Sequence, residues 1–451
     1  MSPSSSFQKT ARIVGLFCLT ALFSSLSLAA EDPPQGLIIQ TDRIDAVYSV
    51  NERVTFKITL KPTPKEHDSE VLVNWTLSAD GQAPKKSGQV TLKGGVAEIT
   101  GQLATPGFLR LEAVLPKQEG VPERIRTFAG AAVSPFAIKP SQAAPDDFDR
   151  YWAQQMSELR SAPFEVKLTP VELPAEKSDF VLFDLQAEVP GGIIVSGYLS
   201  YPKGAAPGSL PAFLSVHGAG VRSSIIPTSW ASEGMIALDI NAHGIPNGKP
   251  SAFYKALADG ELKNYPRKAW KTREEVYFLT MFLRVLAALD ILTDRPEWDG
   301  QTLITRGTSQ GGAQSLAAAA LDSRVTLAVA GVSAMCDLSG MTIGRATGWP
   351  RSVPIDSEGH PDAEALQAMR YYDMVNFASR IEADVVMTVG FIDATCPPTT
   401  VYTAYNNLNT PKRIFNDLPT AHKNSPEAHA FMKKEIREHI QKQSTQNCNA
   451  E

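Results

Sequence analysis

Hydrophobic positions recur along this chain with two distinct rhythms. From about Gly36 to Ile138 apolar and polar residues alternate, as in RVTFKITL (Arg53 to Leu60), VLVNWTL (Val71 to Leu77) and FLRLEAVL (Phe108 to Leu115). A further pair, QVTL and VAEITGQL, flanks Lys93-Gly94-Gly95. Period-two alternation puts every second side chain on one face, so these runs predict antiparallel strands joined by hairpins, with one buried and one wet face. Several such strands in succession predict a small all-β sandwich of immunoglobulin type over residues 31–140. Its aromatic residues form no stripe, so a packing or spacer role is expected ahead of a carbohydrate-binding one.

The stretch IKPSQAAPDDFDRYW (Ile138 to Trp152) is rich in proline and alanine and then opens a helix at Asp146 to Asp149, which marks a boundary. Beyond it, over residues 141–445, the rhythm changes. Short apolar or β-branched runs read as strands buried on both faces: PAFLSVHG (Pro211 to Gly218), MIALDIN (Met235 to Asn241), TLITRG (Thr302 to Gly307), LAVAGVSA (Leu327 to Ala334), ADVVMTVG (Ala383 to Gly390) and KRIFNDL (Lys412 to Leu418). Helical segments, the longest at Val276 to Asp294, separate several of them. That alternation predicts an α/β architecture, a mainly parallel sheet covered by helices.

Residues 1–30 follow neither rhythm. Lys9 and Arg12 precede an apolar run that ends in small residues, with Ser27/Ala29 or Leu28/Ala30 as the pair a signal peptidase reads. A cleaved signal peptide, and a secreted or periplasmic product with no membrane attachment afterwards, is the expectation. Phe17 before Cys18 is too bulky for a lipoprotein cleavage site. Loss of these two cations takes the formal charge from −5 to −7. A mildly acidic product has no electrostatic footprint for nucleic acid. Cys336, Cys396 and Cys448 remain, too few for a disulfide scaffold.

The chemistry centres on TRGTSQGGAQS, Thr305 to Ser315. Gly307-Thr308-Ser309-Gln310-Gly311 follows a predicted strand and precedes an alanine-rich helix former, the context of the nucleophile elbow of an α/β-hydrolase fold. Ser309 is therefore the candidate nucleophile. A serine hydroxyl needs a base to take its proton and a carboxylate to orient that base, in the chain order serine, acid, histidine. His422 lies in a loop just after a strand, whereas His429 and His439 fall within the closing helix and are expected at its surface. Asp393 follows ADVVMTVG directly; Asp356, Asp362 and Asp373 are rivals in the preceding insert, and a plain turn-forming role for Asp393 stays open. Oxyanion donors are expected at the Gln310 N–H and at the Ala219 N–H, in a loop whose Gly218 and Gly220 let backbone approach a ligand. His217 is expected to serve that loop structurally. No His, Asp and Cys cluster has metal-ligand spacing, so neither metal nor cofactor is implied.

These residues resemble the acetyl xylan esterase and cephalosporin C deacetylase family, carbohydrate esterase family seven. From about Pro145 to Ile440 its landmarks occur in order: PDDFDRYW, VHGAG, GTSQGG, YYDMVNFASRI (Tyr371 to Ile381) and GFIDATCPPTTVYTAYN (Gly390 to Asn406). The Asp-x-x-Cys-Pro-Pro segment is the most specific. The resemblance implies a triad of Ser309, Asp393 and His422, with Ala219 and Gln310 as oxyanion donors. Three departures stand out: Asn241-Ala242-His243-Gly244 where the family commonly has Arg-Gly-Gln, Ala219 in place of an aromatic, and Lys423 in place of the usual glutamate. Cys336 and Cys396 each lie just past a strand of the sheet, either close enough to pair or as buried free thiols.

The expectation is thus a secreted serine esterase acting on acetylated xylan or related oligosaccharides. A general carboxylesterase or peptidase of the same fold, or an inactive carbohydrate-binding scaffold, are the alternatives. Quaternary structure stays open, a homo-oligomer included.

Overall fold

The computed structural model describes residues 36–61, 71–80, 82, 86–117, 123–268 and 271–448. The signal-peptide expectation for residues 1–30, with Cys18, lies outside them, as does the side chain of Cys448. The N-terminal strands are β1 (Gly36–Thr41), β2 (Val47–Tyr48), β3 (Val54–Lys61), β4 (Val71–Ala79), β5 (Lys86–Leu92), β6 (Val96–Gly101), β7 (Gly107–Leu115) and β8 (Ile125–Val133). They form two sheets, in the orders β1-β3-β6 and β2-β8-β7-β4-β5. All pairs are antiparallel except β2 with β8. Alternation does the work here: Val54, Phe56, Ile58 and Leu60 of β3 point inward and meet Val73, Leu77, Leu109 and Leu111 from the other sheet.

A nine-stranded sheet follows, from β9 (Val166–Pro170), β10 (Phe180–Val189), β11 (Ile193–Pro202), β12 (Leu210–Val216), β13 (Ile236–Ile240), β14 (Trp298–Thr308), β15 (Leu327–Gly331), β16 (Asp384–Gly390) and β17 (Lys412–Asp417). Its order is β17-β16-β15-β14-β12-β13-β11-β10-β9. The six strands from β12 onward run parallel, and β9, β10 and β11 form an antiparallel flank. This flank was not read from the sequence, although Gly191-Gly192, both at positive φ, form its hairpin turn.

Both faces of the inner parallel strands are dry, because side chains alternate between them; β17, expected to be buried on both faces, is instead an edge strand and only half-buried, with Arg413 exposed. Ala212, Leu214 and Val216 of β12 face the core that holds the helices Tyr277–Thr293 and Gln310–Leu321. Phe213 points the other way, toward Met432 and Ile436 of the C-terminal helix Pro426–Cys448. Strand order reverses at β12, which pairs with β13 on one side and β14 on the other. Beyond the carboxyl ends of strands at such a switch point lies the crevice where parallel sheets bind ligands.

The β1–β8 strands rest against the loop after β16. Gly130 in β8 lies so close that a Cβ there would sit 2.3 Å from the Phe391 carbonyl oxygen. The Phe108 ring stands edge-on to Phe391, centroids 5.0 Å apart, and Asn406 donates to the carbonyls of Pro135 and Ile138, both at 2.9 Å.

Candidate active site

The turn after β14 is shaped by missing side chains. A Cβ on Gly307 would lie 2.2 Å from backbone atoms of Gly311, and one on Gly311 would lie 2.3 Å from the Val216 carbonyl oxygen. Glycine at both places lets strand, turn and helix close on each other. Ser309, between them, adopts φ 60° and ψ −121°, a strained conformation for a residue with a side chain. Bonds at both ends of the residue hold it there: its N–H donates to Gly331 O at 2.8 Å, and its carbonyl accepts from Ala334 N at 3.0 Å. The helix Gln310–Leu321 starts at the next residue and aims its positive end at the hydroxyl.

Ser309, His422 and Asp393 stand in line. The Ser309 hydroxyl lies 2.8 Å from His422 Nε2, and His422 Nδ1 lies 2.7 Å from Asp393 Oδ2. The other carboxylate oxygen accepts the N–H groups of Thr395 at 2.7 Å and Cys396 at 2.9 Å, so the turn that Asp393 forms also fixes its side chain. Asp393 is 1% exposed, and the His422 side chain keeps a quarter of its surface open to solvent. A carboxylate accepts only, so His422 Nδ1 carries the proton and Nε2 is left as acceptor for the serine hydroxyl. The rival acids are occupied elsewhere. Asp373 caps the helix Met374–Ala378 through the Val375 N–H, Asp362 caps Ala363–Met369, and Asp356 is exposed.

The two candidate oxyanion segments face each other across this serine. A Cβ on Gly218 would lie 3.0 Å from Thr308 O and 3.6 Å from Ser309 Cβ, which places the loop after β12 directly over the elbow. Ala219 is exposed at the loop's tip and Gln310 is fully buried. His217 has the structural place expected of it. Its Nδ1 donates to Gly218 O at 2.6 Å, its Nε2 accepts the Ala242 N–H at 3.0 Å, and burial pushes its pKa down to about 3. A neutral imidazole can do both at once.

One expectation is corrected and one alternative decided. His439 is buried, not at the surface: it sits on the inner side of the C-terminal helix with Nε2 2.9 Å from Thr326 Oγ1, whereas His429 is exposed. Helical periodicity brings residue 439 onto the face carrying Met432 and Ile436. Cys336 and Cys396 are both buried and both free, the reduced alternative of the two. One cluster was also missed: Asp393, Cys396 and His422 each offer a metal-ligating atom within 4.8 Å of the others. Two of these three atoms sets are already joined in the hydrogen-bonded line to Ser309.

With this geometry in place, comparison with known proteins is decisive. The acetyl xylan esterase (AXE1) family profile matches residues 137–442. This chain belongs to the acetyl xylan esterase family. As a member it is a carboxylic ester hydrolase on an α/β-hydrolase framework. It is 32% identical over 409 residues to the acetyl esterase Axe7A of Xylanibacter ruminicola, covering 88% of this chain and 90% of that protein. The solved acetyl xylan esterase from Paenibacillus sp. R4 is similar at 28% identity and TM-score 0.58, over 67% of this chain and 98% of its own. Acetyl xylan esterase 1 from Thermoanaerobacterium sp. JW/SL YS485 shares the fold at 23% identity and TM-score 0.58, over 68% and 97%.

Where this family member departs from the family pattern, the residues support the loop after β12. Asn241 and Ala242 are buried, and His243 reaches back to Gly220 O, its Nε2 3.0 Å away. Arg284, buried in the helix Tyr277–Thr293, donates to the carbonyls of Ile194 and Ala242 and fills the space beside Gly244. No motif could have announced these contacts, since each joins segments tens of residues apart.

Proposed function

We propose that the protein is a secreted serine esterase that removes acetyl groups from the sugar hydroxyls of xylan or related acetylated oligosaccharides. The observation that carries this reading is the unbroken line Ser309–His422–Asp393, with 2.8 and 2.7 Å between successive groups, at the mouth of the switch-point crevice. Ser309 Oγ attacks the ester carbonyl while His422 Nε2 takes its proton, and Asp393 holds the ring and steadies the imidazolium. Negative charge on the carbonyl oxygen meets the N–H groups of Ala219 and Gln310, where each donor is worth about 3 kcal/mol in the transition state. Collapse expels the sugar oxygen, protonated by His422, and leaves an acetyl ester on Ser309. Water, deprotonated by the same histidine, then attacks that ester and frees acetate.

The family supports acetyl esterase chemistry, and the similarity to the acetyl esterase Axe7A supports the acyl group. The β1–β8 strands are proposed to form an immunoglobulin-like sandwich domain, and residues 1–30 a cleaved signal peptide. The test compares wild type with Ser309→Ala on p-nitrophenyl acetate and on acetylated xylo-oligosaccharides. Acetate release by the wild type alone is expected; equal release by both proteins would overturn the reading. Peptide-bond cleavage without acetate release would favour a peptidase instead.

A further inference from the structure

Tyr265 lies in the insert between β13 and the helix Tyr277–Thr293, far in sequence from every group of the proposed mechanism, yet its buried hydroxyl touches both oxyanion segments. It stands 2.6 Å from Gln310 Oε1, and the Gly220 N–H donates to it at 3.3 Å. We infer that Tyr265 is a positioning residue that locks the two oxyanion donors into register through one phenol oxygen. The inference rests on the esterase reading above and assigns the insert a part in it.

Donor and acceptor arithmetic fixes the direction of each bond. A phenol has one proton and can also accept. Because the Gly220 N–H can only donate, the phenol accepts there and its own proton goes to Gln310 Oε1. That bond fixes the Gln310 side chain at the first turn of its helix, beside the N–H proposed as one donor. The Gly220 bond fixes the peptide that follows Ala219, whose N–H is proposed as the other.

The rest of the loop is held in the same way. His217 Nδ1 grips the Gly218 carbonyl, which belongs to the same peptide plane as the Ala219 N–H. His243 Nε2 grips the Gly220 carbonyl, and its Nδ1 lies 2.6 Å from the Tyr277 hydroxyl. Three consecutive peptide units are thus tied down, and of these three side chains Tyr265 is the one that also bonds Gln310; Gln314 Nε2, 3.1 Å from His217 O and 3.4 Å from Gln310 O, spans the same segments one peptide earlier. The His243 ring meets Tyr265 edge-on at 4.7 Å and Tyr277 packs at 4.6 Å, which leaves the phenol little room to swing away. Burial pushes its pKa up to about 12, so the bridging proton stays in place across the working range of an esterase.

The test is steady-state kinetics of Tyr265→Phe on p-nitrophenyl acetate, with rates referred to sites counted by a fluorophosphonate label on Ser309. Misplacing a donor in an otherwise intact site is a fault of orientation, so kcat is expected to fall about tenfold to a hundredfold with KM within about twofold of wild type. A boronic acid, tetrahedral when bound to Ser309, should lose affinity in the same proportion. Gln310→Ala keeps the backbone N–H while removing the bridge, and the double variant should lose less than the product of the two single losses. Unchanged kcat in Tyr265→Phe, or a raised KM at constant kcat, overturns the inference, as does full multiplicativity in the double variant. A wild type that neither turns over the ester nor takes the label would instead overturn the esterase reading, and this inference with it.

Discussion

Replacing Asp393 by asparagine keeps the shape of the side chain and changes only which end of it can donate. The carboxylate receives three donors: Thr395 N–H and Cys396 N–H at one oxygen, His422 Nδ1–H at the other. An asparagine amide has one oxygen and one NH2. With its oxygen toward the two backbone N–H groups, its NH2 faces His422 Nδ1. The reverse orientation would leave two buried N–H groups without an acceptor, at a cost of about 1–3 kcal/mol each, so the first prevails. The imidazole must then accept at Nδ1 and carry its proton at Nε2, where it points at the Ser309 hydroxyl 2.8 Å away and can no longer act as base. In serine-protease triads this wrong-tautomer change lowers kcat by about 10⁴-fold, or ~5 kcal/mol of barrier. We expect a loss of that order in acetate release from p-nitrophenyl acetate at pH 7–8, with KM nearly unchanged and a melting temperature that certifies folding. A variant within tenfold of wild-type kcat would refute the role assigned to Asp393.

Three further outcomes are expected. Gly130→Val drives a side chain into the Phe391 carbonyl; overpacking of this kind costs about 1–3 kcal/mol, so the melting temperature should fall by several degrees and activity with it, whereas an unshifted melt would show that the β8 contact gives way freely. The folded-state pKa of His217 lies near 3, below the unfolded value near 6.5. In the folded protein, therefore, it refuses a proton that the unfolded chain accepts. The stability from its neutral form is complete above pH 6.5 and is lost as pH falls toward 3, by ~5 kcal/mol in all. Melts between pH 7 and 4 should show a steep decline that flattens in His217→Gln; parallel curves would count against this cause. Cys336 and Cys396, whose thiols burial pushes up, should resist alkylation in the native protein and both react after unfolding. Intact mass spectrometry reads this directly, and a persistent loss of two hydrogens would mean a disulfide.

Legibility followed the range over which each signal acts. TLITRG reads as a strand and GTSQGG as the turn after it because both patterns are local, and β14 with its following helix lies there. Long β-branched runs such as ADVVMTVG are equally plain, since a strand buried on both faces is apolar at most positions. The β10–β11 hairpin escaped because its flanks, Phe180–Val189 and Ile193–Pro202, mix serine, glycine and aspartate with apolar residues. Asp393 and His422 could be proposed from chain order alone, but their three competing aspartates and two competing histidines were separable only by what each one touches. Tyr265 had no local signal at all, and His243 stood out only as part of the Asn241–Gly244 departure, with no hint of its contacts. Their meaning lies in hydrogen bonds to Gly220, 45 and 23 residues away.

The approach of Gly130 to Phe391 ties the reacting segment to the first strands of the chain. Two residues past Phe391 stands Asp393, so the loop that orients His422 leans on a strand from the other end of the chain. A gene fragment for residues 141–445 would encode every reacting group proposed here and still strip the cover from Phe391 and Tyr402, whose rings pack on Phe108. Cut there, the chain would show water two aromatic rings that the first strands now keep dry, close in sequence to the acid of its proposed triad.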